Sequence, residues 1–559
     1  MIKNKLENWI KDTLGINTIT LEHPADFKRG DFTLVSRAKN PEEEFEALQL
    51  VLDKFPEIEK VEIANGRFIN IFLKKEFFAD AIKEVLESGE GYGENKSVFG
   101  QKVIIEYTNT NVLKPLHIGH LMGNVIGESL SRIFESSGAE VKRNTYQGDA
   151  GLHIAKTLWG IQNLRGKIEG DLHTKIAYVG EAYALGANKY EDDTSVQEEI
   201  KEINKKLFDK GDADLLHLYT WARQVSLDHF EELYKKLGTK FDYYFFESEV
   251  VDDSLRIVKK FLGANLFEES EGAIVFHGEK YDKKLHTRVF VSSQGIPMYE
   301  AKDIAHAIRK EKTYSADRSI IITANEQDGY FNVVLCALSH IDKSIAEKTE
   351  HVSHGLLKLA DGKMSSRKGN VITGESLISD VEDLVKEKIQ DRELSDTEKT
   401  EIAEAVAIGA IKFSILRQAV GGDIIFDFDQ SISFEGDSGP YLQYTAVRAN
   451  SILEKANYTT QISGTRGTLV PEGWQTTDLE RVLYRFPEVV EVAYKEYAPH
   501  KIVSYLLDIA SRFNSFYSSH KIIDDSDPAS LYKIALTKAV ANVITNGLYL
   551  LGIKVPERM

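Results

Sequence analysis

The sequence predicts a multidomain fold of the α/β plus α class. The chain has 559 residues, which is more than one hydrophobic core supports. A strand–helix–strand pattern at 103–146 is typical of a parallel sheet. Long helical patterns dominate after residue 400. We therefore expect three domains, at 1–95, 96–380 and 381–559.

The composition, with 42% hydrophobic and 28% charged residues, is ordinary for a soluble globular protein. No apolar run approaches the roughly 18 residues of a membrane span. The first residues, MIKNKLENWIKD, lack the apolar core of a signal peptide, so we expect a cytoplasmic protein without a membrane partner. The single cysteine, Cys336, excludes an internal disulfide and a multi-cysteine zinc site. The net charge of −18 argues only weakly against a nucleic-acid partner, because such binding depends on where positive charge is placed.

The first 95 residues predict a small α+β domain. Apolar residues recur at helical spacing over 2–14, and Asn40 followed by Pro41 predicts the start of a second helix. Strand-like runs lie at 31–36 and 68–73. A glycine-punctuated linker follows at 88–100.

The central part predicts strands at 103–107 and 140–146 with a helix at 120–137 between them. His117 and His120 then lie at the helix N-terminus, where free backbone N–H groups and the helix dipole attract phosphate. A plain polar helix cap is the alternative. From about 155 to 285 the chain is rich in charge and mostly helical in pattern, and we expect the sheet to resume at 287–292.

Two later stretches also carry polar groups suited to ligand binding. Tyr299 and Asp303 are four positions apart, so a helix places them on one side, and a strand at 319–323 delivers Gln327 just beyond its end. A basic, glycine-flanked segment suits a pyrophosphate leaving group, although a solvated basic turn is its alternative. That segment comprises Lys363, Met364, Ser365, Ser366, Arg367 and Lys368.

These motifs together resemble the arginyl-tRNA synthetase family. His117 to His120 resembles the HIGH motif of class I aminoacyl-tRNA synthetases, and 363–368 resembles their KMSKS loop. The runs at 437–453 and 500–520 resemble the family's anticodon-binding helices. The resemblance implies a class I Rossmann-like catalytic domain with a parallel sheet and a helical insertion at about 155–285. It also implies a small N-terminal α+β domain that contacts the tRNA D-loop, and a C-terminal α-helical anticodon-binding bundle.

The resemblance implies ATP-dependent activation of L-arginine and transfer of the arginyl group to tRNA(Arg). ATP with Mg²⁺, and no zinc, would serve the reaction, and activation would require tRNA. We expect a monomer. A different HIGH-type nucleotidyl transferase is one alternative, but it has no use for the anticodon-like domain. A non-catalytic tRNA-binding relative is another, but its two motifs should have eroded.

The resemblance also implies residue roles. A guanidinium needs a fixed carboxylate and neutral acceptors, which Asp303, Tyr299 and Gln327 supply, although a helix-cap or salt-bridge role for Asp303 stays open. The full implied set is His117, Gly119, His120 and 363–368 for ATP; Glu106, Asn109 and Asn111 for the α-amino and carboxylate ends of arginine; and Phe68, Asn70, Tyr444 and Arg448 for tRNA.

Four points remain open at the level of the sequence. Phe68 could instead be a core residue and Asn70 an edge-strand polar group. Most aromatic residues of the C-terminal helices are expected in the core. Ser366 stands where the family has a second lysine, and Arg367, Lys368 or Lys114 could supply that charge. Thr110 replaces a proline common in the family, so the backbone before the HIGH-like motif could differ.

Overall fold

The computed structural model describes residues 1–36, 40–164, 169–360, 373–458 and 470–559. The chain divides into two units by its internal contacts. The first contains Met1–Asn95, Phe434–Tyr549 and Lys554–Met559, and the second contains Lys96–Ser433 and Leu550–Ile553. Within the described ranges, no helix has the length and apolar character needed to cross a membrane.

The N-terminal part of the first unit has the α+β structure that the sequence predicts. Gly15 ends the first helix in the left-handed conformation at φ 63, and the Asn40 side chain caps the second. The strands form an antiparallel sheet in the order β1-β3-β2, of which β2 was not predicted because its charged residues mask the alternation. The elements are α1 (Ile2–Leu14), β1 (Phe32–Val35), α2 (Pro41–Gln49), α3 (Val51–Lys54), β2 (Ile58–Ala64), β3 (Phe68–Leu73) and α4 (Lys75–Ser88).

The second unit begins with the predicted strand–helix–strand pattern. Its elements are β4 (Lys102–Glu106), α5 (Ile118–Ser136), β5 (Glu140–Gln147), α6 (Leu152–Asn163), α7 (Leu172–Asp192), α8 (Thr194–Asp209), α9 (Ala213–Lys236), β6 (Tyr243–Phe246), α10 (Val251–Leu262), β7 (Glu268–Ser270), β8 (Ala273–His277), β9 (Thr287–Val291), α11 (Tyr299–Thr313), β10 (Arg318–Ala324), α12 (Asp328–Ile341), α13 (Lys343–Lys348), β11 (Thr349–His354), β12 (Leu357–Leu359), α14 (Gly374–Lys388), α15 (Asp396–Leu416), β13 (Ile424–Phe426) and α16 (Phe428–Ser431).

Five of these strands form a wholly parallel sheet in the order β11-β10-β4-β5-β6. The chain leaves β4 toward β5 on one side and returns through β10 on the other. Ligands of such sheets bind at the carboxyl ends of the strands where the order reverses. The edge formed by the ends of β4 and β10 is therefore the place to look for the site.

Two sequence expectations about this unit need correction. The insertion expected at about 155–285 extends too far, because it includes β6, a strand of the parallel sheet whose YYFF run lies among charged helices. The strand at 287–292 exists as β9, but it pairs antiparallel with β8 in a separate three-stranded sheet.

Helix α5 approaches the end of β4 very closely. A Cβ atom on Gly127 would lie 2.2 Å from the Tyr107 ring, so only glycine allows this spacing. The hydroxyl of Tyr107 donates to Glu128 of the same helix at 2.7 Å. This packing fixes the N-terminus of α5 at the carboxyl edge of the sheet.

The C-terminal part of the first unit is helical, as the sequence predicts, and it packs on the N-terminal part. Arg481 pairs with the buried Asp31 at 2.5 Å, and His23 contacts Glu488 at 3.0 Å. The Asn546 amide donates to the Gly89 carbonyl oxygen at 2.9 Å. The helices are α17 (Gly439–Lys455), α18 (Asp478–Leu483), α19 (Phe486–Lys495), α20 (Pro499–Ser519) and α21 (Ser530–Leu550).

Helices α6 and α7 offer a matched test of close packing. A Cβ atom on Gly160 would lie 2.0 Å from the Ala182 carbonyl oxygen, whereas one on Gly180 of α7 would meet nothing within 4 Å. We expect Gly160→Ala to lower the free energy of unfolding by about 1–3 kcal/mol through overpacking. Gly180→Ala should instead raise it by about 0.5–1 kcal/mol, since alanine restricts the unfolded chain. Urea unfolding of both variants measures the contrast, and equal effects would contradict it.

Candidate active site

The largest concentration of predicted residues lines a single cavity of about 610 Å³ in the second unit. The cavity lies where β4 and β10 end, with walls from α5, α11 and α12. It contains every described residue that the sequence assigned to ATP or arginine. These are Glu106, Asn109, Asn111, His117, Gly119, His120, Tyr299, Asp303 and Gln327.

His117 and His120 form a reciprocal cap on the N-terminus of α5. Nδ1 of His117 accepts from the Gly119 N–H at 3.1 Å, and Nδ1 of His120 accepts from the His117 N–H at 3.1 Å. In each ring the other nitrogen, Nε2, has no hydrogen-bond partner among the described residues and can contact a ligand. The polar cap that the sequence offered as an alternative is therefore present, and it leaves room for phosphate binding.

The His120 imidazole is neutral at pH 7. Burial, together with His117, Lys114 and His354 nearby, lowers the pKa of His120 to about 4. Because Nδ1 accepts a hydrogen bond, the proton of the neutral ring is on Nε2. His120 can therefore donate a hydrogen bond to an anion without itself carrying charge.

The loop after β4 is held by its own polar side chains. Oε1 of Glu106 accepts from Asn109 at 3.1 Å, and Asn109 in turn accepts from the Tyr146 backbone N–H at 2.9 Å. Thr110, which replaces the family's proline, is buried, and its carbonyl oxygen accepts from the Gly148 N–H at 2.9 Å. The departure at Thr110 thus coexists with an ordered loop that directs both Asn109 and Asn111 to the cavity.

Helix α11 presents Tyr299 and Asp303 to the cavity, as their spacing predicts. Asp303 is not a helix cap, and it accepts a hydrogen bond from the Tyr330 hydroxyl at 2.6 Å. Burial raises the pKa of Asp303 to about 7; Glu106 and Glu247 add to this rise, and the Tyr330 hydrogen bond opposes it. A cation bound in the cavity would favour the ionised form of the Asp303 carboxyl.

The predicted basic loop, Lys363, Met364, Ser365, Ser366, Arg367 and Lys368, lies outside the described residues. The residues that follow it are attached to the HIGH-like stretch. Thr373 forms an antiparallel bridge with His117, and the Gly374 N–H donates to the Leu116 carbonyl oxygen at 2.8 Å. Glu375 accepts from the Leu116 N–H at 3.2 Å. The described chain therefore resumes at Thr373 beside the HIGH-like stretch.

The predicted tRNA contacts lie in the first unit. Phe68 is 41% exposed and β3 is the central strand of its sheet, so Phe68 is not a core residue and Asn70 is not on an edge strand. Asn70 is buried and accepts from the Thr33 hydroxyl at 2.9 Å. These two residues point to one face of the sheet, since alternate residues of a strand share a face.

In the C-terminal helices, the Arg448 guanidinium lies near two aromatic rings. Its guanidinium carbon lies 4.7 Å from the Tyr444 ring centroid and 5.5 Å from that of Tyr517. Phe513 and Phe516 are buried, as expected for part of the aromatic set. Tyr444, Arg448 and Tyr517 remain as a surface cluster.

The sequence did not identify several cavity residues with charged or polar partners. His306 and Lys310 lie three and seven positions after Asp303, so helical spacing could have found them. Glu247 was missed because it follows β6, the strand hidden in the expected insertion. Arg288 and Tyr330 also line the cavity, and they carry no motif.

Comparison with known proteins gives the class of this site. A family model described as the catalytic domain of class I tRNA synthetases (R) matches residues 81–428. The parallel sheet and the capped helix at its carboxyl edge thus form the catalytic domain of a class I aminoacyl-tRNA synthetase. A second model, the DALR anticodon binding domain, matches residues 442–559.

Curated relatives narrow the class further. The arginine–tRNA ligase of Ligilactobacillus salivarius (strain UCC118) is 32% identical over 552 residues, covering 96% of this chain and 95% of the relative. That of Clostridium botulinum (strain Alaska E43 / Type E3) is 31% identical and covers 100% of both chains. The chain belongs to the arginyl-tRNA synthetase family, and it is an arginine–tRNA ligase. The arginyl-tRNA synthetase structure of Thermus thermophilus shares the fold, with a TM-score of 0.78 at 23% identity over 100% of both chains.

Mutation can separate the two roles of His120, which are capping the N-terminus of α5 and contacting phosphate. Glutamine at this third helical position can still accept from the His117 N–H, whereas alanine cannot. We expect His120→Ala to lower the free energy of unfolding by about 1 kcal/mol and His120→Gln to change it by less than about 0.5 kcal/mol. Both variants should weaken ATP binding, because both lose the imidazole Nε2–H, and a glutamine amide N–H has a different position and direction. Denaturant unfolding and ATP titration measure the two effects, and full ATP affinity in His120→Gln would contradict this assignment.

Proposed function

We propose that the cavity activates L-arginine with ATP and that the enzyme then esterifies tRNA(Arg). The observation that carries the proposal is that one cavity joins a capped helix N-terminus, suited to phosphate, to the partly protonated carboxyl of Asp303, suited to a cation. The phosphates of ATP would lie at the helix N-terminus, and the guanidinium of arginine would lie at Asp303. Family membership supports the same reaction.

The first step is a displacement at phosphorus. An arginine carboxylate oxygen attacks the α-phosphorus of ATP, the bond to the β-phosphate oxygen breaks, and pyrophosphate leaves. In the second step the terminal ribose 2′-hydroxyl of tRNA attacks the activated carbonyl carbon, AMP leaves, and the hydroxyl proton is lost. His117 and His120 contribute Nε2–H groups to phosphate oxygens, and Gly119 leaves space for adenine.

The arginine side chain would lie against α11. Asp303 pairs with the guanidinium, Tyr299 stacks on its face, and Gln327 accepts from it. Asn109 and Asn111, with Glu106 behind them, lie at the opposite wall for the α-amino and carboxylate groups. This arrangement orients the carboxylate toward the helix cap.

Mg²⁺ would accompany ATP in this proposal. His117 and His120 offer N–H groups, which donate hydrogen bonds to phosphate oxygens. Mg²⁺ instead prefers oxygen ligands, which the nucleotide phosphates and water supply. Lys363, Arg367 and Lys368 would neutralise the leaving pyrophosphate. Lys114 is a further candidate for the charge absent at Ser366, and burial, followed by neighbouring Lys156, lowers the pKa of Lys114.

We assign tRNA to two surfaces of the first unit. Phe68 would stack on a base while Asn70 contacts its edge, and the cluster of Tyr444, Arg448 and Tyr517 suits splayed anticodon bases. The three domains stay as proposed at 1–95, 96–380 and 381–559, in a cytoplasmic monomer. Each surface combines aromatic faces with polar groups, as single-stranded RNA recognition requires.

Arginine-dependent exchange of pyrophosphate into ATP should appear only when tRNA is present. Asp303→Ala should lower arginine use by at least about 100-fold, since a buried charge-assisted pair is lost, while leaving ATP affinity nearly unchanged. The exchange assay with and without tRNA, together with ATP titration, measures both. Exchange that proceeds equally with lysine in place of arginine would refute the substrate assignment.

Arginine affinity should depend on pH through Asp303. Only the ionised carboxylate binds the guanidinium, so with a pKa of about 7 the dissociation constant should rise roughly tenfold from pH 8 to pH 6. Tyr330→Phe removes a hydrogen bond to the ionised form and should shift this midpoint to higher pH. Isothermal titration calorimetry measures the profile, and a flat profile between pH 6 and pH 8 would contradict it.

A further inference from the structure

The carboxylates of the cavity differ in how their charge is compensated. Glu106 accepts from Lys310 at 2.9 Å and from His306 at 2.7 Å, and Glu247 pairs with Lys302. Glu326, also on the wall, is exposed to water. For Asp303, no described residue brings an ammonium or guanidinium nitrogen within 4 Å. The Asp303 carboxylate, which has little contact with solvent, is therefore available to pair with a ligand cation.

The compensating cations come from the helix that carries Asp303. Lys302 precedes Asp303 directly, and Lys310 follows it by seven positions, which is two helical turns. Both lysines are buried, which is costly for an ammonium unless it is paired. Arg288, which also lines the cavity, is already paired with Glu300 at 3.1 Å. The other buried carboxylates around Asp303 are thus each paired with a cation.

His306 contributes a hydrogen bond but no charge to this balance. Its Nε2 contacts Glu106, while its Nδ1 is buried without a partner among the described residues. A protonated ring would leave an unpaired N–H there, which is more costly than an unpaired lone pair. Burial also lowers the pKa of His306. Lys310 is therefore the group that neutralises Glu106.

We propose that Lys302 and Lys310 are specificity-determining residues that neutralise Glu247 and Glu106, so that the cavity offers one unmatched negative charge to a substrate with one positive charge in its side chain. This inference rests on the proposed function, with Asp303 as the guanidinium partner. In a cavity with little water, a second unmatched carboxylate would raise the proton affinity of the first, and loss of a carboxylate would lower it.

Several titratable or charged groups face Asp303 from the elements packed around it, and together they determine its proton affinity. They are Tyr330 on α12, Tyr146 on β5, Glu106 on β4, Glu247 after β6, and Lys302 and Tyr299 on α11 itself.

The test follows the pH midpoint of arginine binding by calorimetry, using the full-length enzyme. The double variant His306→Gln/Lys310→Met removes the Lys310 charge in a background whose residue 306 cannot take up a proton, and His306→Gln alone is its reference. We expect the midpoint to rise by roughly one pH unit relative to that reference. Glu106→Gln removes the carboxylate and keeps the ammonium, so its midpoint should fall by a similar amount. Lys312→Met, the same change at an exposed position on the same helix, should leave the midpoint where it is.

The two opposite shifts separate charge compensation from a general loss of structure, because a merely disturbed cavity would not move the midpoint in both directions. If the double variant does not fold, the lower pH midpoint expected for Glu106→Gln still tests the inference. Citrulline, a neutral isostere of arginine, gives a second readout, and its affinity relative to arginine should increase at least about tenfold in Glu106→Gln. Unshifted midpoints in both variants would overturn the inference, whereas a wild-type enzyme that fails to bind arginine would overturn the proposed function.

Discussion

The parallel pairing of β10 with β4 is the constraint on which the rest of the second unit depends. It places the ends of β4, β5, β6 and β10 at one edge, so that residues far apart in the sequence reach the same cavity. Helix α5 starts at this edge because Gly127 lets it pack against the Tyr107 ring. The described residues assigned to ATP and arginine come from the end of β4, from the loops that follow these strands and from the helices α5 and α11.

The cap on α5 shows that a structural role and a ligand-binding role can be carried by the same imidazoles. The Nδ1 atoms satisfy backbone N–H groups that would otherwise lack partners, and this fixes both ring planes. Fixed rings hold their Nε2–H groups in place before a phosphate arrives, so less conformational freedom is lost when it binds. The same hydrogen bonds therefore stabilise the end of the helix and orient the imidazoles for phosphate binding.

Local periodicity was enough to predict three of the five strands of the parallel sheet, and the resemblance to the family supplied several of the residues that line its edge. Strands β3, β4, β5 and β10, helices α1 and α5, and the shared side of Tyr299 and Asp303 all follow from spacing. Strand β6 was not recognised because four aromatic residues among charged helices resemble core positions of those helices, and Glu247 was missed with it. The partners of Glu106 could not be foreseen, since the contact with Lys310 joins residues 204 positions apart. Nor does periodicity show that Arg448 lies near both Tyr444 and Tyr517, because Tyr517 is brought to it only when α17 and α20 pack.

The first unit is built from both ends of the chain, and this has a consequence for synthesis on the ribosome. Asp31 and His23 are made early, but Arg481 and Glu488, which pair with them, follow more than 400 residues later. At translation rates of roughly 5–20 residues per second, the N-terminal segment waits for about 20–90 s before its helical partner emerges. During that interval a buried carboxylate and an apolar face remain open to water and to chaperones, so the nascent chain is most vulnerable to misassembly while its catalytic part is being made.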